Sequence, residues 1–103
     1  MKRNIIYNED CITTMNRIED DSIDLIITSP PYNLGVKYNE YNDNKVESEY
    51  FNWLRTIFLQ IKRVLRDDGS IFLNIGTSNS KPWFPFDVAQ AFRDLFFKTA
   101  LFG

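Results

Sequence analysis

Histidine is absent from this 103-residue chain. Its absence excludes the Ser/His and Cys/His pairs that activate a side-chain nucleophile, and also the usual zinc-site ingredients. Cysteine occurs once, at Cys11, so no disulfide can form within the chain. Long hydrophobic runs are missing as well: the most apolar stretches, residues 23–27 and 71–75, are about five residues long against the roughly 20 that a membrane helix needs. No membrane association is expected. The N-terminal Met1-Lys2-Arg3 meets Asn8, Glu9 and Asp10 too soon for the apolar middle of a signal peptide, so a cytoplasmic location is expected. A net charge of −2 supplies no global field for nucleic acid, so any affinity for DNA must come from elsewhere.

What is present is the composition of an ordinary soluble domain. A hydrophobic share of 44% with 25% charged residues argues against disorder or fibre, and 103 residues leave room for one small domain. Ile5-Ile6-Tyr7 reads as a short strand, followed by Asp10 as an N-cap and a weak helical pattern through Ile12, Met15 and Ile18. Residues 20–22 break that pattern. Ile23 to Thr28 is β-branched and mostly apolar, as in a strand buried on both faces of a parallel sheet, and it stops at Pro30-Pro31. Two successive prolines remove two backbone donors and force an extended exit from the sheet.

Residues 38–44 read as a loop. Asn44 and Glu47 resemble a capping pair, after which Tyr50, Leu54, Ile57, Ile61 and Val64 recur at helical steps. Lys62, Arg63 and Arg66 crowd the end of this helix, where cations match the helix dipole, so they are assigned no DNA role. Asp67-Asp68-Gly69 turns the chain into a second buried strand over residues 70–75. Pro85 then suits a first helical turn, with Val88, Ala89, Phe92 and Phe96 on one apolar face. Trp53, Trp83 and the nine phenylalanines are read mostly as core. The alternation of strand and helix predicts an α/β fold with a parallel sheet, flanking helices, and ligands at the carboxyl ends of the strands.

Ser29-Pro30-Pro31-Tyr32, following a hydrophobic strand, resembles the catalytic motif of DNA methyltransferases that modify exocyclic amino groups. Three further segments resemble that family in its own order: Asp10-Cys11, then Ser22-Ile23-Asp24-Leu25-Ile26-Ile27-Thr28, then Val64-Leu65-Arg66-Asp67-Asp68-Gly69-Ser70-Ile71-Phe72-Leu73-Asn74-Ile75-Gly76. The similarity runs to about Phe97. It implies a partial Rossmann-like methyltransferase fold, S-adenosylmethionine as cofactor, DNA as substrate, and a place in restriction-modification.

The resemblance also assigns roles that the chemistry explains. A base amine is a poor nucleophile because its lone pair is delocalised into the ring. If the Ser29 hydroxyl and the Pro30 carbonyl each accept one of its N–H hydrogens, the nitrogen is drawn toward tetrahedral geometry with the pair aimed at the methyl group. Pro31 stiffens the carbonyl, and Tyr32 is placed to stack on a base flipped out of the duplex. Asp10 and Cys11 fall near the cofactor pocket of the resembling family, although Asp10 also reads simply as a helix cap. Cys11 lies far upstream of Pro30, unlike the nucleophile of enzymes that methylate the ring carbon of cytosine, and is read as a buried structural thiol. Ser29, where adenine enzymes more often have Asp, favours N4 of cytosine over N6 of adenine.

The family's glycine-rich Phe-x-Gly-x-Gly cofactor loop and its target-recognition region are not found here: Gly76 is followed by Thr77-Ser78-Asn79. Residues 1–103 are therefore expected to be the N-terminal, catalytic-motif part of a methyltransferase domain. The strand before Ser29 would then expose an apolar edge and face, which a complementary C-terminal chain or a second copy of this one could cover. Two readings contrast with a working half-enzyme: an idle, non-catalytic remnant, and a small nucleotide-binding module unrelated to methylation. Titrating the isolated chain with S-adenosylmethionine in a calorimeter is expected to give no measurable binding. Clear one-to-one binding would overturn the expectation that essential cofactor contacts lie outside it.

Overall fold

The computed structural model of the protein describes residues 3–31, 47–76, 79 and 81–93, with Glu47 described at its backbone only. Five elements follow in chain order: α1 (Cys11–Met15), β1 (Ile23–Thr28), α2 (Glu47–Val64), β2 (Leu65–Leu73) and α3 (Phe84–Arg93). β1 and β2 pair in parallel, with α2 in the connection between them, so the predicted α/β architecture is present as a two-stranded parallel sheet with flanking helices. No described helix is long and apolar enough to cross a membrane.

The core grows from one stripe of α2. Tyr50, Leu54, Phe58 and Ile61 lie three or four residues apart, are all buried, and join Phe84 and Val88 of α3 in one cluster. Phe58 meets Phe92 edge-on, with centroids 4.9 Å apart. Ile26 of β1 and Ile71 and Leu73 of β2 pack against this cluster from one face of the sheet. Pairing of Ile26 with Ile71 and Thr28 with Leu73 puts these residues on the covered side, and pairing of Ile27 with Phe72 puts the alternate residues on the other.

That other side is open among the described residues. Leu25, Ile27 and Phe72 are 52%, 72% and 62% exposed, so β1 is buried on one face where the sequence predicted two. Residues 5–7 also depart from expectation: they form no strand, and Ile6 is 96% exposed. A strand needs a neighbour to take its backbone donors and acceptors, and only β1 and β2 pair among the described residues. The segment is held instead by side chains. Arg17 binds Glu9 and lies over the Tyr7 ring, and the Thr14 hydroxyl also donates to Glu9, at 2.8 Å. The arginine, then the threonine, hold the Glu9 carboxyl below its ordinary pKa.

The end of α2 is tied to the turn that precedes β1. Asp21 and Ser22 donate their amides to the Arg63 and Val64 carbonyls at 3.0 and 2.9 Å, satisfying groups that a helix end leaves open. Arg63 also reaches back, donating to the Met15 carbonyl at 2.7 Å, the Ile18 carbonyl at 2.9 Å and the Asp20 carboxylate at 2.6 Å. Its side chain thus clamps the end of α1, a larger role than a solvated cation at a helix terminus. The Asp67-Asp68-Gly69 turn falls inside β2: pairing jumps from Ile23 opposite Leu65 to Leu25 opposite Ser70, so residues 66–69 bulge out of the ladder.

The predicted helix cap at Asn44 and the apolar residue Phe96 lie outside the described residues. α3 begins one residue before Pro85, as expected for a proline in a first turn. Trp83 and Phe86 depart from their reading as core, being 70% and 64% exposed, while Trp53 packs against the cluster as expected.

The bulge has no room for a side chain at Gly69. A Cβ there would meet Leu65 Cδ1 at 2.8 Å and the Arg66 and Asp24 carbonyl oxygens at 3.0 Å. The leucine tip can swing aside, but the two backbone oxygens can yield only by distorting the bulge. Gly69→Ala is therefore expected to destabilise the chain by about 1–3 kcal/mol. A urea unfolding curve measures this, and an unchanged midpoint would contradict it.

Candidate active site

Ser29, Pro30 and Pro31 leave the carboxyl end of β1, where a parallel sheet presents its ligands. Ser29 is exposed, Pro30 is buried and Pro31 is half-buried. Tyr32, the fourth residue expected at this site, lies outside the described residues. Ser29 continues the alternation of Leu25 and Ile27, so the open face of the sheet leads to its side of the strand.

Hydrogen bonds bracket the three residues. On the strand side the Thr28 carbonyl accepts the Asn74 amide at 2.9 Å, which continues the parallel ladder. On the loop side the Pro31 carbonyl accepts the Tyr50 hydroxyl at 2.5 Å. Between them, neither the Ser29 hydroxyl nor the Pro30 carbonyl has a hydrogen-bond partner among the described residues. The Ser29 hydroxyl and the Pro30 carbonyl are thus among the acceptors left between the occupied carbonyls of Thr28 and Pro31.

Tyr50 was legible in the sequence only as one member of an apolar helical stripe. Its ring is 1% exposed, with the Phe51, Trp53 and Phe84 ring centroids 5.3, 5.9 and 5.8 Å away. The signal that distinguishes it is chemical: a buried tyrosine brings a hydroxyl that needs a partner, unlike the purely hydrocarbon side chains along the rest of the stripe. That the partner would be Pro31 could not be read from residues 19 apart in the chain.

Asp10 and Cys11 are placed at the start of α1. Asp10 caps that helix, accepting the Ile12 amide at 2.8 Å. Cys11 is exposed where the sequence predicted a buried thiol, because α1 buries none of its residues; partial burial of its sulfur still raises the thiol pKa, and the Asp10 carboxylate adds to the rise. It is a protonated thiol at neutral pH rather than a poised nucleophile. No hydrogen bond joins Asp10 or Cys11 to Ser29, Pro30 or Pro31 among the described residues. The two anchoring contacts on α2 lie at opposite ends of the helix. Arg63 holds the end of α1 some 20 Å along the axis from Tyr50, taking about 1.5 Å of rise per residue.

Of the other cations near the end of α2, Arg66 pairs with Asp68 at 3.1 Å and Asp24 at 3.3 Å. These exposed pairs hold the bulge rather than forming a basic surface. Among the described residues no group of three or more His, Cys, Asp or Glu could hold a metal ion.

Comparison with known proteins gives this geometry its class. A family model described as DNA methylase, of the N6/N4 type, matches residues 23–101, which include β1, the Ser29-Pro30-Pro31-Tyr32 segment, α2 and β2. The type II methyltransferase M.BglII of Bacillus subtilis is 41% identical over 87 residues, covering 82% of this chain and 23% of that protein. M.MjaVI of Methanocaldococcus jannaschii, another type II methyltransferase, is 39% identical over 62% of this chain and 33% of its own length. The DNA adenine methyltransferase YhdJ of Escherichia coli is 30% identical over 72% of this chain and 25% of its own. The chain belongs to the N6/N4 DNA methylase family. It spans about a quarter to a third of the length of these relatives.

DNA methylases of this family in general use S-adenosylmethionine. At the two residues expected to border the cofactor, the chain offers an exposed turn and one carboxylate already engaged as a helix cap. That donor set can supply a part, and not the whole, of the contacts for a cofactor carrying a nucleoside and an amino-acid tail.

Proposed function

We propose that this chain is the catalytic-motif part of a site-specific DNA methyltransferase acting on the exocyclic amine of a base, with N4 of cytosine favoured over N6 of adenine. The observation that carries this reading is the bracketed segment: occupied carbonyls at Thr28 and Pro31 flank a Ser29 hydroxyl and a Pro30 carbonyl that are unpaired among the described residues. An amine with two N–H hydrogens matches two adjacent acceptors. Its hydrogens donate to the Ser29 oxygen and the Pro30 oxygen, and its lone pair is turned away from the ring and out of the segment. Proline rings on both sides of the Pro30 carbonyl keep that acceptor from reorienting, so alignment is set before the base arrives.

S-adenosylmethionine, when bound, supplies the electrophilic methyl group. The chain's own residues hold the nitrogen, and Tyr32 stacks on the flipped base to keep the ring in plane with its acceptors. The extra proton left on the methylated nitrogen is acidified by the positive charge there and passes to solvent. No cysteine attack on the ring is involved, consistent with the position and raised pKa of Cys11.

Asp10 and Cys11 are proposed to border the cofactor side of the assembled site. The remaining cofactor contacts, DNA reading and the cover for Leu25, Ile27 and Phe72 are assigned to a complementary methyltransferase polypeptide. The sheet face that is open among the described residues favours this half-enzyme reading, since a covering partner would also adjoin Ser29.

The test uses a reconstituted enzyme in which this chain is combined with the unmatched remainder of the Bacillus subtilis relative. Ser29→Ala and Tyr32→Ala are each expected to reduce methyl transfer from labelled S-adenosylmethionine to DNA by at least about tenfold, or about 1.4 kcal/mol. Unchanged rates would remove the proposed roles and favour an idle motif.

A further inference from the structure

We propose that Tyr50 is a positioning residue for methyl transfer, its hydroxyl fixing the Pro31 carbonyl and thereby the pair of acceptors at Ser29 and Pro30; this rests on the methyltransferase reading above. Four backbone torsions run through Pro30 and Pro31, and three are restricted by proline itself. The two rings fix φ of Pro30 and Pro31, and the Pro31 ring confines ψ of Pro30 to extended values. The torsion left free is ψ of Pro31. It sets the direction of the Pro31 carbonyl, which is the group that the Tyr50 hydroxyl holds. The same bond anchors the loop side of the segment, as the Asn74 amide anchors the strand side.

The tyrosine is itself built to hold still. It sits in the first turn of an 18-residue helix, its ring is 1% exposed, and three aromatic rings surround it within 6 Å between centroids. A core position filled for packing alone would be served by phenylalanine, which would remove the polar group whose burial otherwise has to be compensated. The hydroxyl links the buried stripe of α2 to the motif at the end of β1. Tyr50 does not touch the reacting amine, and its effect passes through Pro31.

Two measurements separate this role from simple packing. In the reconstituted enzyme, Tyr50→Phe is expected to lower kcat about tenfold while KM for S-adenosylmethionine and for DNA changes less than about twofold. Ile61→Val, a core change on the same helix remote from the hydroxyl, is expected to lower thermal stability and leave kcat unaltered. Wild-type kcat in Tyr50→Phe, or an equal loss in Ile61→Val, would overturn the proposal. The second measurement is made on the 103-residue chain by carbon NMR: Tyr50→Phe is expected to move the Pro31 carbonyl resonance and leave the Leu25 and Ile71 amides in place. An unmoved Pro31 carbonyl would also overturn it. If the enzyme with Tyr50 intact transfers no methyl group, the methyltransferase reading fails, and the carbonyl resonance alone then decides the link between Tyr50 and Pro31.

Discussion

Parallel pairing of β1 with β2 imposes the rest of the arrangement. Two parallel neighbours cannot be joined by a tight turn, so the chain must return along the sheet before the second strand begins, and α2 makes that return. The N-terminal end of α2 therefore lies at the carboxyl end of β1, where Tyr50 meets Pro31. Its C-terminal end lies where β1 starts, with the carbonyls of Arg63 and Val64 taken by Asp21 and Ser22. One helix thus anchors both ends of the strand that carries the motif. The same crossing places the apolar stripe of α2 over Ile26, Ile71 and Leu73, so burial, register and the position of Ser29 depend on a single topological requirement.

The cost of a two-stranded sheet is visible on its other side. Leu25, Ile27 and Phe72 form an apolar row open to solvent among the described residues, and water gains nothing favourable from contact with it. Burying one such side chain typically stabilises by about 1.5–3 kcal/mol, so a polypeptide covering all three would gain several kcal/mol before its ordering cost. That gain and the adjacency of Ser29 point the same way. Among the described residues, this apolar row lies on the side of the sheet that leads to the proposed acceptor site.

Much of this was legible in the sequence because it is local or repetitive. The helical spacing from Tyr50 to Val64, the β-branched run of β1 and the Asp10 cap each depend on residues close together in the chain, and each is present. The stiff exit at Pro30-Pro31 is equally local, but its reading as a site came from a resemblance in the order of the flanking segments, and the family model matches residues 23–101 of that order. What was not legible depends on contacts distant in the chain. Residues 5–7 have the composition of a strand, but composition cannot supply a pairing partner. Arg63 looked like a dipole-matched terminal cation until the fold brought Met15 and Ile18 within its reach. Tyr50 looked like core, and it is core, yet its hydroxyl also holds a loop 19 residues away.

An amine-directed site is the central assignment, and the identity of the methylated base tests it most directly. DNA treated with S-adenosylmethionine and the reconstituted enzyme would be digested to nucleosides and analysed by mass spectrometry. The predicted product is N4-methylcytosine. N6-methyladenine would keep the amine site but contradict the preference drawn from Ser29, and 5-methylcytosine would contradict an amine-directed site altogether.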